Sequence, residues 1–398
     1  MTLMPVSRFR RLAYSAALIA VVALTIVVLT YVGSRSKGPL DAVLSGLGML
    51  ISRTESRIAH RLRGPGRAAD LAWFDEIRND RDLLAEPDTV LLGAFDNWLP
   101  SSFDGLAKLE SSLDRALPLV HVFTAWGDSP EHRFPRTLAE AVWDVGSVLV
   151  ITWEPWLTTF DEGDHGSLRP VAERDVGGMA DVADGVYDFY LEEWGRAAVD
   201  FARPVFVRFG HEMNDSYRYP WGPHNNRTEE YVAAFRHVVE VTREVGASNI
   251  LWVWSPHIAY DGFEAFYPGD DVVDWTGATV LNYGNVAYWS QWWSFDDIFT
   301  RKYDRLSALG KPIMITELGT LMAGGERAPW FRQALERLPQ RLPRVKAVVF
   351  FHNRSDATIT YQALNWAFDN DSNVVLAIRN GLATWLEIPR ADSIRVNP

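Results

Sequence analysis

The sequence predicts an α/β protein whose main domain is a (β/α)8 barrel, of the triosephosphate isomerase (TIM) type, preceded by a transmembrane helix and a stalk. Two observations predict the barrel. Beyond Asp88, short apolar runs rich in β-branched and aromatic residues alternate with longer stretches of helical spacing, as in repeated βα units. Polar and aromatic residues then follow each run. The eight runs are 89–95, 117–123, 147–153, 204–210, 249–255, 277–283, 312–318 and 345–351.

The first element is an uncharged segment of 21 residues, 12–32. As a helix it is long enough to cross a hydrocarbon core of about 30 Å. Arg8, Arg10 and Arg11 precede it, which favours a cytoplasmic N-terminus and an extracytoplasmic remainder. A cleaved signal peptide is the competing interpretation, although its apolar region is usually only about 7 to 15 residues long. Cleavage would make the protein secreted rather than anchored.

The following boundaries complete the predicted domain organisation. Residues 1–11 would be cytoplasmic, 33–86 a stalk, 87–385 the barrel and 386–398 a C-terminal tail. Among the helical stretches, 228–247 has the clearest pattern, because one apolar stripe runs along it and a glycine follows. The stripe consists of Tyr231, Phe235, Val238, Val239, Thr242 and Val245, and the glycine is Gly246.

Composition limits the class of partner. A net charge of −12 disfavours nucleic acid, which requires a basic face. The chain has no cysteine, so it has no disulfide and no thiolate metal site. The 17 Trp, 13 Tyr and 20 Phe suit either a large aromatic core or a carbohydrate cleft, where flat rings stack on sugars.

Two glutamates stand where the chemistry of such a barrel is expected, at the C-terminal ends of strands. Glu212 follows the fourth apolar run and Glu317 ends the seventh. Cleavage of a glycosidic bond commonly needs two carboxyl groups, one to protonate the leaving oxygen and one to attack or to activate water. A structural ion pair is the alternative for either glutamate alone, and their occurrence together favours catalysis.

Arg208 would share a face with Gly210 and Glu212 if the fourth strand is regular to its end. Its guanidinium would then lie near Glu317 and keep that carboxylate ionised, while a less compensated Glu212 could keep its proton. Alternatively, Arg208 only closes an ion pair within the barrel.

The segments RFGHEMND (208–215) and YPWG (219–222) resemble glycoside hydrolase family 26, as does ITELG (315–319). Further agreement comes from ITWEPW (151–156), WVWSP (252–256) and LNYG (281–284), so the resemblance covers roughly residues 89–365. The resemblance implies a retaining (β/α)8 hydrolase with Glu212 as acid/base and Glu317 as nucleophile. It also implies that His211 contacts the sugar, that Tyr283 hydrogen-bonds the nucleophile, and that Trp156 and Trp221 line the cleft. Arg208, Asn214 and Trp254 are further candidate substrate-binding residues.

The sequence departs from the family pattern after Asn214. The link DSYR replaces a shorter glycine-containing link that leads to a Trp, so either Tyr217 or Arg218 could occupy the stacking position. The eighth strand ends FFHN, without the Trp common in the wider clan. Both departures affect the sugar-binding walls.

These observations lead to one main functional hypothesis, an endo-acting β-glycanase for a β-mannan or β-glucan. We expect no cofactor and no metal, and the sequence indicates no particular protein partner. A barrel that binds glycan without cutting it is the second hypothesis. Metal-dependent hydrolysis through His211, Glu212 and His257 is a third, weakened by the absence of H-E-x-x-H spacing.

Overall fold

The computed structural model describes residues 66–286, 290–357 and 363–387. Eight parallel strands close into a barrel in chain order, each paired with its neighbours in sequence and the eighth with the first. The prediction of a (β/α)8 barrel is confirmed. The strands are β1 (Leu91–Asp96), β2 (Leu119–Ala125), β3 (Val148–Glu154), β4 (Val205–Phe209), β5 (Ile250–Trp254), β6 (Trp275–Asn282), β7 (Ile313–Thr320) and β8 (Val345–His352).

Each strand begins within two residues of the start of its predicted apolar run. The runs indicate the strands because strands that are buried on both faces carry few polar side chains. Helices connect the strands on the outside. They are α1 (Phe74–Asn79), α2 (Arg81–Ala85), α3 (Asp104–Leu113), α4 (Arg136–Asp144), α5 (Gly178–Ala183), α6 (Asp188–Phe201), α7 (Thr228–Glu244), α8 (Arg301–Ser307), α9 (Arg327–Leu335), α10 (Leu338–Arg341) and α11 (Ser372–Ala383).

Helix α7 confirms the amphipathic pattern of 228–247. All of the predicted stripe is buried except Val245, which is half-buried where the helix ends. Gly246 follows with a φ of +97°, a left-handed conformation that glycine adopts without strain. The stripe thus attaches α7 to the outer surface of the barrel.

The predicted stalk and the barrel are not separated at residue 86. Residues 66–70 are helical, and the Arg67 guanidinium lies 2.9 Å from Glu110 of α3 in a buried ion pair. Phe74 and Leu84 are fully buried. The indole of Trp275 on β6 donates a hydrogen bond to the Leu84 carbonyl. This part of the predicted stalk is therefore a layer of the barrel domain, since its apolar side chains are buried there.

The predicted cytoplasmic segment 1–11, the membrane segment 12–32 and most of the tail lie outside the described residues. Within the described ranges, every helix is too short or too polar to cross a bilayer.

Candidate active site

Glu317 is held at the C-terminal part of β7 by two polar neighbours. Arg208 of β4 donates a 2.6 Å hydrogen bond to its Oε1, and the Thr279 hydroxyl of β6 lies 3.3 Å from the same oxygen. Thr279 and Glu317 are register partners, just past a shift in the β6–β7 ladder. Arg208 is fully buried and Glu317 is 5% exposed. The predicted approach of Arg208 to Glu317 is thus present in the structure.

Glu212 lies beyond the end of its strand. β4 stops at Phe209, and both Gly210 and Glu212 have left-handed backbones, with φ of +48° and +53°. The expected regular alternation from Arg208 to Glu212 is therefore wrong, because the chain turns at Gly210. A hydrogen bond of 2.7 Å from the Glu212 N–H to the Ser255 carbonyl stabilises the turn. Positive φ in a residue other than glycine costs energy and is concentrated at functional sites.

The two glutamates meet at Thr279. Its hydroxyl donates to Glu317, and both Thr279 and Arg208, the two residues that hold Glu317, also interact with Glu212. Residues 105 positions apart in the sequence therefore converge at one point of the barrel mouth.

Glu212 is surrounded by positive charge. Burial disfavours the charged form of its carboxyl, but His257, Arg218 and Arg208, with the Thr279 hydrogen bond, outweigh burial and lower the pKa. Arg218 lies closest, with Nη1 3.0 Å from Glu212 Oε2. The expectation that Glu212 is less compensated than Glu317 is wrong, because the loop after β4 brings Arg218 back onto it.

His211 and Trp221 form the wall beside Glu212. The Nε2 atom of His211 lies 2.9 Å from the Tyr219 hydroxyl, and the Trp221 indole donates to the His211 carbonyl. The Tyr219 and Trp221 rings stack with centroids 4.6 Å apart. Burial, followed by the charge of Arg208, lowers the pKa of His211 well below its usual value, so the ring is neutral. Trp221 is 1% exposed and supports this wall from behind.

Trp156 and Glu154 line the adjacent edge, at the end of β3. The Trp156 indole donates a 3.1 Å hydrogen bond to Glu154 Oε2, and its ring meets Trp221 edge-on. Burial raises the pKa of Glu154 despite this bond and the nearby Arg208. Trp156 is half-buried, so part of its ring is open, as expected for a residue that lines a cleft.

Asn214 and Tyr283 have supporting contacts in the described structure. The Asn214 amide donates to the His257 carbonyl and accepts from the His257 N–H, at 2.9 and 2.7 Å. Asn214 therefore fixes the backbone that carries His257. The Tyr283 ring packs edge-on against Trp366 at 4.8 Å. Burial raises the pKa of Tyr283, which also interacts electrostatically with Arg218, Glu212 and Glu317.

The structure places two predicted sugar-binding residues elsewhere. Trp254 is fully buried and packs against Phe263 and Tyr267, outside the barrel wall. Its assignment to the cleft is wrong, because in β5 its side chain points towards the helical layer. Tyr217 is 89% exposed and its N–H bonds to Asp215, so Arg218, not Tyr217, takes the inward position in the DSYR link.

Sequence reasoning missed three members of the site. Thr279 lies on the sixth predicted strand, but it is uncharged, so nothing in the sequence indicated a function for it. Glu154 ends the third predicted strand, in the same kind of position as Glu317, and that position was the available signal. His257 was considered only as a metal ligand, whereas here it lies beside Glu212.

A parallel barrel with two glutamates converging at the C-terminal edge of its strands is an arrangement typical of (β/α)8 glycoside hydrolases. The family model described as glycosyl hydrolase family 26 matches residues 182–341, a range that includes both glutamates. The resemblance to glycoside hydrolase family 26 that the motifs predicted is confirmed by this match.

Several characterised proteins are similar to the chain in sequence. Endoglucanase H of Acetivibrio thermocellus is 30% identical over 300 residues, which cover 73% of this chain and 30% of the endoglucanase. A β-1,3-xylanase of a Vibrio species is 35% identical over 126 residues, 29% of this chain and 26% of the xylanase. A mannan endo-1,4-β-mannosidase of Bacillus subtilis is 30% identical over 154 residues, 37% and 36% of the two chains. The chain thus spans about a third of the length of these relatives or less.

Solved structures agree in fold. A β-mannanase of Bacteroides ovatus superposes with a TM-score of 0.52 at 19% identity, covering 81% of this chain and 94% of the mannanase. A mannanase of Bacillus subtilis gives 0.51 at 17% identity, covering 78% and 91%. At these identities the similarity concerns the fold alone.

Proposed function

We propose that the chain is an endo-acting β-glycanase that hydrolyses a β-linked polysaccharide by double displacement. Glu317 is the nucleophile and Glu212 the acid/base. The observation that carries the proposal is the convergence of these two buried carboxyls on the hydroxyl of Thr279. A retaining reaction needs carboxyls about 5 to 5.5 Å apart and an inverting one about 6.5 to 9.5 Å, and the neighbours that Glu212 and Glu317 share, Arg208, Arg218 and Thr279, support the retaining reaction that the resemblance implies.

The contacts of the two glutamates support different roles. The buried guanidinium of Arg208 stabilises negative charge on Glu317, which suits a nucleophile. Glu212 has its cation, Arg218, on the more exposed side of the site. This partner can move when substrate arrives, whereas Arg208 is enclosed by the barrel.

The reaction then proceeds in two steps, formation and hydrolysis of a glycosyl ester with Glu317. A carboxylate oxygen of Glu317 bonds to the anomeric carbon as the glycosidic C–O bond breaks, and the departing oxygen takes the proton of Glu212. Glu212, now a carboxylate, removes a proton from water. The water oxygen bonds to the anomeric carbon and the ester bond to Glu317 breaks. Glu212 is protonated again and the anomeric configuration is retained.

The names of the relatives support a β-glucan or a β-mannan as the backbone, since they are called an endoglucanase and a mannan endo-1,4-β-mannosidase. Cleavage within the chain follows from the same names. A β-1,3-xylan is the third backbone to test, because of the Vibrio xylanase.

The proposal is tested by incubating the purified protein with mannan, lichenan and β-1,3-xylan and following new reducing ends. We expect oligosaccharides from one of them, first released in the β configuration by proton NMR. Glu317→Ala should remove nearly all turnover. The Glu317→Gln variant, with the same shape and no charge, controls for packing. Glycan binding without new reducing ends would favour a non-catalytic barrel.

We also propose that segment 12–32 anchors the protein in a membrane, with the barrel outside the cytoplasm, where it would trim an exported polysaccharide. The support is the sequence alone: 21 uncharged residues preceded by three arginines. The full chain should sediment with membranes and resist extraction by high salt, whereas a chain without residues 1–32 should be released. A soluble protein with a mass lower than that of the full chain would indicate cleavage of a signal peptide.

A further inference from the structure

Of the two arginines beside Glu212 and Glu317, Arg218 is the one with an exposed side-chain surface. Its side chain is 24% exposed, against 0% for Arg208. The Arg218 guanidinium also lies over the ring of Tyr219, 5.1 Å from its centroid. A guanidinium has five N–H donors, and the hydrogen bond to Glu212 uses the Nη1 atom. The other N–H groups of Arg218 can therefore donate hydrogen bonds to a further anionic group in the cleft.

The first step of the proposed reaction removes the negative charge that pairs with Arg218. Its electrostatic partners are Glu212, Tyr219, Tyr283 and Glu317. Glu212 must carry a proton before the first step, so it is neutral when substrate is bound. Glu317 is still charged at that stage, but Arg208 pairs with this charge at 2.6 Å. Burial raises the pKa of both Tyr219 and Tyr283, so these hydroxyls stay protonated.

Glu154, at the end of β3, does not replace this charge. Burial raises the pKa of Glu154, which favours its neutral form, and its Oε2 atom already accepts the Trp156 indole. A largely enclosed cation without a counter-charge is costly. Arg218 is thus paired with Glu212 in the resting site and loses this partner when Glu212 is protonated for the first step.

We infer that the natural polysaccharide carries a carboxylate on or beside the sugar at the cleavage site, and that Arg218 binds it as Glu212 becomes protonated. The inference rests on the proposed hydrolysis and names its substrate class, an acidic β-linked glycan. A planar guanidinium matches a carboxylate through two parallel hydrogen bonds, which also orients the sugar. The substrate carboxylate thereby frees Glu212 from its ion pair.

A matched pair of polymers tests the inference in the full chain. One is the glucan or mannan that the protein cleaves, and the other is the same polymer with a defined fraction of its C6 hydroxymethyl groups oxidised to carboxylates. We expect kcat/KM to be at least about tenfold higher on the oxidised polymer, equivalent to about 1.4 kcal/mol, and this preference to decrease with added salt.

Variants of Arg218 assign the effect to this residue. Arg218→Gln should bring the ratio of the two kcat/KM values to about one, while Arg218→Lys, which keeps the charge, should retain part of the preference. Arg196→Gln changes net charge equally, on an exposed helix surface, and should leave the ratio unchanged. Binding of oxidised and native oligosaccharides to Glu317→Ala measures recognition without turnover, and should show the same order.

Two outcomes separate the inference from the proposed function. Equal or faster cleavage of the native polymer, or an unchanged ratio in Arg218→Gln, would overturn the acidic substrate and leave hydrolysis standing. If β-1,3-xylan and both forms of glucan and mannan yield no new reducing ends, the proposed function fails and this inference fails with it.

Discussion

Arg208 and Glu317 form an ion pair across the barrel interior, with Nη2 and Oε1 2.6 Å apart and both side chains almost completely buried. The two functions considered for Arg208, closing a structural pair and holding a nucleophile charged, therefore involve one contact. Stability and turnover measured on the same variants distinguish them.

Arg208→Met should lower the free energy of unfolding by about 3 to 5 kcal/mol, because it leaves the Glu317 charge buried without a partner. The double variant Arg208→Met with Glu317→Gln removes both charges and should recover most of this loss while staying inactive. Urea denaturation followed by tryptophan fluorescence measures the stability. A single variant with native stability and turnover would show that the pair serves neither purpose.

Thr279→Val should reduce kcat about 10- to 100-fold, because it removes the hydroxyl that donates to Glu317, and a hydrogen bond to a charged group contributes about 1.5 to 3 kcal/mol. Valine keeps the shape, so the unfolding midpoint should change little. Thr279→Ser keeps the hydroxyl and serves as the control. Equal kcat values for the Val and Ser variants would contradict a function for the hydroxyl.

The pH profile should respond to Arg218. A general acid works while protonated, so kcat/KM falls as the pH rises through the pKa of Glu212, which His257, Arg218, Arg208 and Thr279 lower against the effect of burial. Arg218→Gln removes one of these charges, so the pKa rises and the alkaline limb moves to higher pH. A neutral aryl β-glycoside is the substrate for this measurement. A limb at the same pH would contradict the assignment of Glu212 as the acid.

Asp96 should contribute stability that is lost in acid. It is fully buried and accepts hydrogen bonds from His352 and Arg354, at 2.8 and 2.7 Å. Burial favours its neutral form, but these bonds and the Trp98 N–H outweigh burial and lower the pKa. The folded-state pKa therefore lies below the unfolded value of about 3.9, and the contribution is present above that value and disappears as the pH falls through the folded pKa.

Asp96→Asn should consequently be less stable than the unmodified chain at pH 7, with a difference that shrinks below about pH 4. Urea denaturation at a series of pH values measures it. Asp75→Asn is the control, because its pair with Arg78 is exposed and worth about 0 to 1 kcal/mol. A difference independent of pH would assign the effect to packing.

Trp254 and Trp156 should separate core from cleft. Trp254→Phe should lower the free energy of unfolding by about 0.5 to 3 kcal/mol and leave KM unchanged, since Trp254 packs on Phe263 and Tyr267. Trp156→Phe should raise KM with little loss of stability, because it removes the indole that bonds Glu154. The reverse pattern would restore Trp254 to the cleft.

The elements predicted well are those with a strong local signal. All eight strands follow from apolar runs, and α7 follows from its stripe, because burial of apolar side chains is written into the periodicity of the chain. Glu212 and Glu317 are predictable for a related reason. A buried carboxyl at the end of a strand is costly, so its presence there indicates a function. The predicted boundary at residue 86 is wrong because short helices such as α1 have too few turns to produce a recognisable periodicity in the sequence.

The contacts around the glutamates required the folded chain. Regular alternation placed Glu212 on the face of Arg208, but the left-handed turn at Gly210 and Glu212 redirects it. No spacing rule indicates that Arg218 turns inward while Tyr217 points to solvent, or that Trp254 faces the helices. Such orientations depend on which side of a loop the barrel covers.

The sequence by itself determined the barrel, the order of its strands and the identity of the two glutamates, because these depend on composition and periodicity along the chain. Only the tertiary structure decided the charges around Glu212, the bridge at Thr279 and the burial of Trp254. Electrostatic and packing interactions act over a few ångströms in space, and residues that are far apart in the chain supply them.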